Sequence, residues 1–301
     1  MSVPNVLGKP LTQMLAAAIA LSGIFANPAW ANGNDLETGG KLTLTNGVTS
    51  VEGSSGGGLA SWSVIAGNET EDGIGASAHV TLVELPDYDW QSHGVSIGLF
   101  DRLELSYARQ NLDTKDVGAA LGLGRGFQLN QDVFGAKLRL GGDAVYGSPL
   151  MPQIAVGAQY RKNLDAPVAA FVGATKSDDV DFYVSATKLF LSKSILVSGT
   201  ARLTRANQFG LLGFGGDKND ERSLQFEGSM GYQLSRKLLV GGEYRTKPDN
   251  LSIAQEDDAV DVFAAWALTD NFTLTAAYVD LGNIVIKDKQ RGAFLSLQAA
   301  F

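Results

Sequence analysis

Of the 301 residues none is cysteine and only two are histidine, which leaves little for covalent catalysis or a transition-metal site. Thiolate nucleophiles and thiolate zinc sites are excluded at once. A serine hydrolase needs a base within hydrogen-bond reach of its nucleophile, oriented by a third group. His79 lies between Ser77 and Thr81 on the polar face of an alternating segment, whereas His93 shares parity with Val95 and Ile97. Neither sits near a serine in a strand-elbow-helix context, so the reading is no enzyme, no catalytic residue and no cofactor. The runs Gly122 to Gly126 and Phe209 to Gly216 lack the spacing of a phosphate loop. Acidic clusters at Asp178-Asp179 with Asp181, at Glu256-Asp257-Asp258 and at Glu69 with Glu71-Asp72 lack EF-hand spacing. They read as solvated loop charges, with no metal assigned. A net charge of -8, from 32 acidic and 24 basic residues, argues against a nucleic-acid partner.

What remains is charge placed on alternate positions. If the turn Ser235-Arg236-Lys237 brings Leu234 opposite Leu238, Glu227 faces Arg245 and Ser229 faces Glu243, all on one polar face. Arg202, on the preceding segment, lies at a similar height. Glu104, Lys137 and Arg139 point the same way on two earlier segments. Charges on opposite walls of a pore create a transverse field that sorts solutes. The same charges could instead pair across a narrow, filled interior; both readings stay open.

The elements that must carry these side chains have a period of two. Alternating segments fall near 41–51, 59–66, 74–82, 92–100, 103–111, 131–140, 152–162, 181–190, 195–205, 224–234, 238–246, 259–268, 272–281 and 292–301. No stretch after residue 32 is apolar enough for a transmembrane helix. Tight connections alternate with long ones, as in an outer-membrane barrel with short periplasmic turns and long extracellular loops. The expectation is an all-β, antiparallel transmembrane β-barrel of 14 strands. Twelve is the alternative, because the first two segments are the weakest and residues 41–66 could be an inner segment. Phe100, Tyr107, Tyr160, Phe190, Tyr244, Trp266, Phe272 and Tyr278 near segment ends suit interfacial girdles.

The N-terminus carries Lys9, an apolar run from Met14 to Ala26 and Ala29-Trp30-Ala31, the layout of a cleaved secretory signal peptide over 1–31. Residues 32–301 would then be a single barrel domain. Two long loops are apolar and glycine-rich. Leu121 and Phe127 in one, and Phe209, Leu211, Leu212 and Phe214 in the other, suggest a loop plug or a greasy entrance.

The terminal alternating segment, with Leu295, Leu297 and a final Phe301, resembles the signature by which barrel-assembly machinery recognises outer-membrane proteins. The runs Asp116 to Gln131, Val180 to Leu191, Asn207 to Asp217, Glu243 to Leu251 and Tyr278 to Phe301 resemble an uncharacterised family of Gram-negative outer-membrane barrel proteins. That resemblance implies a porin-like barrel in the outer membrane, with lipid and the assembly machinery as partners, and carries no activity or binding residues. The functional expectation is a passive channel for small solutes. The alternatives are a closed, loop-plugged barrel with a structural, adhesion or assembly role, and a conduit for apolar solutes.

Overall fold

The computed structural model describes residues 40–148 and 150–301; the signal peptide read over 1–31 lies outside the described residues. Twelve antiparallel strands form a closed barrel. They are β3 (Ile74–Glu84), β4 (Asp89–Leu99), β5 (Leu103–Asp113), β6 (Gln128–Gly141), β7 (Gln153–Asn163), β8 (Asp178–Phe190), β9 (Ile195–Thr204), β10 (Ser223–Ser235), β11 (Leu238–Arg245), β12 (Ala259–Ala267), β13 (Phe272–Asp280) and β14 (Arg291–Ala300). Each pairs with its chain neighbour, and β14 closes the wall on β3 through pairs such as Leu297 with Val80. The long-loop rim carries the short helices α1 (Lys115–Ala120) and α2 (Ala166–Phe171).

The expected fourteen strands are corrected to twelve wall strands. The first two segments, 41–51 and 59–66, do not join the wall. They run inside it as an inner segment with a two-residue ladder, β1 (Val48–Thr49) on β2 (Ser55–Gly56). The physical reason is local. A wall strand hides one face and shows the other to its surroundings, whereas every residue from 46 to 67 is buried. The run Gly53-Ser54-Ser55-Gly56-Gly57-Gly58 has little to offer a ladder and little bulk to exclude from a confined space. At Gly57 the confinement is absolute: an added Cβ would lie 1.7 Å from Oε1 of Glu243 on the wall.

The wall alternates as its period demands. Val95, Ile97, Leu105, Phe134, Val184, Met230 and Val262 are exposed on the outer face, with Phe100, Tyr160, Tyr244, Trp266 and Tyr278 toward strand ends. Inside, the upper half is an apolar core. Val51 and Leu59 of the inner segment meet Trp90 and Phe294 of the wall and Phe209, Leu211 and Leu212 of the loop after β9. Phe294 breaks the alternation of β14 because it points inward to this core. A second cluster below joins Leu44, Ala60, Trp62 and Val64 to Leu189, Leu196 and Phe263.

Candidate functional site: a plugged lumen

The inner segment, called the plug below, lacks wall strands to bond with, so its buried backbone groups need partners from side chains. Glu104 and Lys137 lie opposite each other on β5 and β6, and their ion pair spans 3.1 Å. Lys137 Nζ donates to the carbonyls of Ser55 (2.9 Å) and Val64 (2.8 Å). Glu104 accepts from the amides of Ser55 (3.1 Å) and Ala66 (2.9 Å). One pair therefore holds both arms of the plug. Higher up, Glu243 accepts from the Leu59 amide and Glu227 from the Ser61 amide, each at 2.7 Å. Arg245 Nη1 donates to Leu59 O at 2.7 Å, and Trp62 Nε1 donates to Ser229 Oγ at 2.8 Å. Hydrogen bonds with one ionised partner are about twice as strong as neutral ones.

Above these anchors three arginines converge on the carboxylate of Glu52. Arg161 Nη2 and Arg245 Nη2 each lie 2.7 Å from Glu52 Oε1, and Arg202 Nη2 lies 3.6 Å from Oε2. Asp181 and Glu227 complete the cluster from the wall, Asp181 at 3.1 Å from Arg161 and Glu227 against Arg202 Nε. Both glutamates, the aspartate and all three arginines are buried. A cavity of about 10 Å³ touches Arg161, Arg202, Arg245 and Lys247, room for about one water. One residue pair below, Glu243 faces Asp261 across β11 and β12.

A cap formed by the loop after β9 closes the top. Phe209 stacks on Trp90 at 5.4 Å and lies 4.6 Å from the Arg245 guanidinium. Gln208 and Phe209 both have left-handed backbone, φ +44° and +60°, a conformation that costs non-glycine residues about 1 kcal/mol or more each. Gln131 Nε2 and Arg161 Nη1 hold it by donating to Phe209 O at 3.1 and 3.0 Å.

The structure brings together most of the residues singled out in the sequence. Glu227 faces Arg245 and Ser229 faces Glu243 as expected, but Leu238 pairs with Ser235 rather than with Leu234, and a register shift between Gln233 and Ser235 restores the expected pairs. Arg202 joins Glu227 across the neighbouring strand. Arg139 stands apart, at the short-turn rim, bonded to Asp101 and to Gly142 O. Phe209, Leu211, Leu212 and Phe214 are buried in the cap, while Leu121 and Phe127 are partly buried against it. Leu295 and Leu297 are half-buried on β14, and Phe301 O accepts from the amides of Asn68 (3.1 Å) and Ala76 (2.9 Å).

Three acidic residues read as solvated are not. Asp181 is buried in the arginine cluster, Glu69 is buried near Lys41, and Glu256 pairs with Lys247 at 2.9 Å. Asp181 shares parity with the buried Ser185 and Thr187, a signal that was available. Glu52 carried none, because it lies between the first two alternating segments. Arg161 shares parity with Gln159 and was overlooked for want of an obvious partner.

Gly53-x-Ser55-x-Gly57 has nucleophile-elbow spacing, but Ser55 sits in the plug and donates to Asn46 O at 2.7 Å. His79 meets Ser92 at 3.1 Å, yet among the described residues its Nδ1 has no hydrogen-bond partner, so none of them orients it as a third group.

A family model described as a protein of unknown function (DUF3034) matches residues 45–298. Comparison with curated proteins gives no match. Among solved structures the chain is similar to the KdgM porin in complex with disordered oligogalacturonate, at 11% identity, over 75% of this chain and 99% of that one, with a TM-score of 0.50. The NanC porin is similar at 10% identity, covering 75% and 98%, with a TM-score of 0.46. The Acinetobacter baumannii outer membrane protein Omp33 is similar at 10% identity, covering 79% and 99%, with a TM-score of 0.41.

Proposed function

The chain belongs to the DUF3034 family of proteins of unknown function, and we propose that it is a porin-like conduit of a Gram-negative outer membrane, held shut by its own plug. In this reading residues 1–31 direct export, and Leu295, Leu297 and Phe301 present the last strand to the barrel-assembly machinery. The apolar outer face meets lipid, and small solutes pass when the plug shifts. The short-turn rim faces the periplasm and the long loops face outward.

The observation that carries the reading is how the plug is fastened. Wall side chains hold its backbone, including Glu104, Lys137, Glu227, Glu243 and Arg245, rather than a ladder continuous with the wall. Such a segment can move without opening the barrel. A ladder strand could not.

Planar-bilayer recordings of the full chain test the proposal. Wild type is expected to give rare conductance steps, and Lys137→Met, which frees two plug carbonyls, frequent ones. Absence of steps in both proteins, with heat-modifiable gel mobility intact, overturns it. That outcome favours the closed structural barrel, a reading supported by the apolar cores above and below the anchors.

A further inference from the structure

We propose that Arg161, Arg202 and Arg245 form a binding site for a carboxylate-bearing solute, and that Glu52 of the plug occupies it as an internal stand-in while the barrel is shut. The inference rests on the reading that the plug moves, and it names the class of solute that the conduit takes.

Among the described residues the wall supplies three guanidiniums at this level but only two carboxylates in contact with them, Asp181 and Glu227. Glu52 supplies the third. With the plug displaced, one positive charge is left without its partner in a confined space. Breaking a buried pair by removing one member is far costlier than never having built it. A solute that brings its own carboxylate removes that penalty, whereas a neutral sugar or a cation does not.

The donors already have the geometry of a carboxylate clamp. Two Nη2 atoms share Oε1 and a third guanidinium flanks Oε2, and arginine's planar fork is suited to this task. The guanidiniums are themselves held in place. Arg202 Nη1 donates to Gln159 Oε1 at 2.6 Å and Arg161 Nη2 to the same oxygen at 2.9 Å, while Arg245 Nε lies 3.5 Å from Glu227 Oε1, all of them wall partners. Tyr183 lies 4.8 Å from the Arg202 guanidinium and Phe209 lies over Arg245, aromatic faces that favour the cations where they stand. The small cavity beside the cluster is lined by four cationic side chains and no acidic one. Phe209 and Lys247 line it together with the three arginines.

The test uses the full chain with Glu52→Ala, which empties the site and leaves the Glu104, Glu227 and Glu243 anchors intact. Acetate is the probe and chloride of equal ionic strength the control. Acetate is expected to raise the unfolding midpoint of Glu52→Ala in a saturable way and to leave wild type unchanged. It should bind about tenfold more weakly once Arg161→Met is added, as the loss of one charged hydrogen bond implies. Equal effects of acetate and chloride on Glu52→Ala overturn the proposal.

If that variant does not fold, wild type carries the test. Citrate competing with Glu52 is expected to speed proteolysis within residues 46–67 relative to chloride of matched ionic strength, and unchanged rates overturn the proposal. Failure here is separable from failure of the conduit reading. Conductance in Lys137→Met without acetate discrimination removes only the carboxylate site. Acetate binding without conductance removes only the channel.

Discussion

Residues 46–67 and residues 205–216 are both buried chain inside the barrel, yet their backbone groups find partners in different places. The cap bonds largely to itself and to a neighbouring loop: Leu212 N to Asn207 O at 3.2 Å, Gly215 N to Arg205 O at 2.8 Å, and Phe214 paired both ways with Lys176. Its carbonyls are met by the neutral Gln131 and Asn163 as well as by Arg161. The plug instead rests on Glu104, Lys137, Glu227, Glu243 and Arg245. Tethered to β9 and β10 at both ends, the cap is a folded turn that needs little from the wall. The plug is a foreign body in a charged socket, and its hold depends on keeping those charges balanced. On the function proposed above, the difference gives the cap a role in stability and the plug one in control.

The comparison breaks most visibly at Lys137. Lys137→Met leaves Glu104 buried without its cation, and a loss of about 3–5 kcal/mol is expected in urea titrations followed by Trp62 fluorescence. The loss should come with faster proteolysis inside residues 46–67 and unchanged heat-modifiable mobility; a loss under about 1 kcal/mol would mean that charge does not hold the plug. Phe214→Ala empties a fully buried site in the cap and should cost about 3 kcal/mol. There the plug is expected to keep its protease resistance, and joint release of both segments would merge the two regions into one.

A smaller effect concerns pH at the foot of the plug. Burial pushes the Glu69 carboxyl up to about 7 despite Lys41 at 3.7 Å. Gly75 and Gly98 make room for it, since a Cβ at either would fall within 2.2 Å of its oxygens. A raised acid favours the folded state while protonated. Its contribution is fully present below the ordinary glutamate range and is lost as pH rises through about 7. Amide exchange around residues 67–69 is therefore expected to quicken between about pH 5 and pH 8 beyond its intrinsic pH dependence, and Glu69→Gln should flatten that excess. Smallest of all is the exposed pair Arg125–Asp116 in the loop that flanks the cap. Arg125→Ala should change stability by less than about 0.5 kcal/mol, and a larger loss would give that loop an ionic role of its own.

Much of the site was legible because the connection between β10 and β11 is short enough to hold register to within one residue, and the irregularity between Gln233 and Ser235 settles it. Once β10 and β11 are paired, Glu227 must meet Arg245 whatever surrounds them. His79 was placed inward by parity alone, and it is buried. Phe294 was visible as an exception to the alternation of the last segment, and an inward aromatic in a wall strand asks for an apolar occupant opposite. Whether residues 41–66 were that occupant stayed open, since alternation in residues 41–51 and 59–66 looks the same whether the neighbour is another strand or a lumen.

Period-two patterning, the parity of connection lengths and the pairing of wall charges are local properties, set by side-chain direction and turn length. The sequence by itself therefore determined an antiparallel barrel with charges on its inner face. The number of wall strands, the path of residues 46–67 and the meeting of Glu52 with three arginines depend on closure. They join positions as far apart as Leu59 and Glu243, 184 residues distant. Only the folded barrel, by leaving a confined space that one segment could fill, decided whether those charges line an open pore or grip a plug.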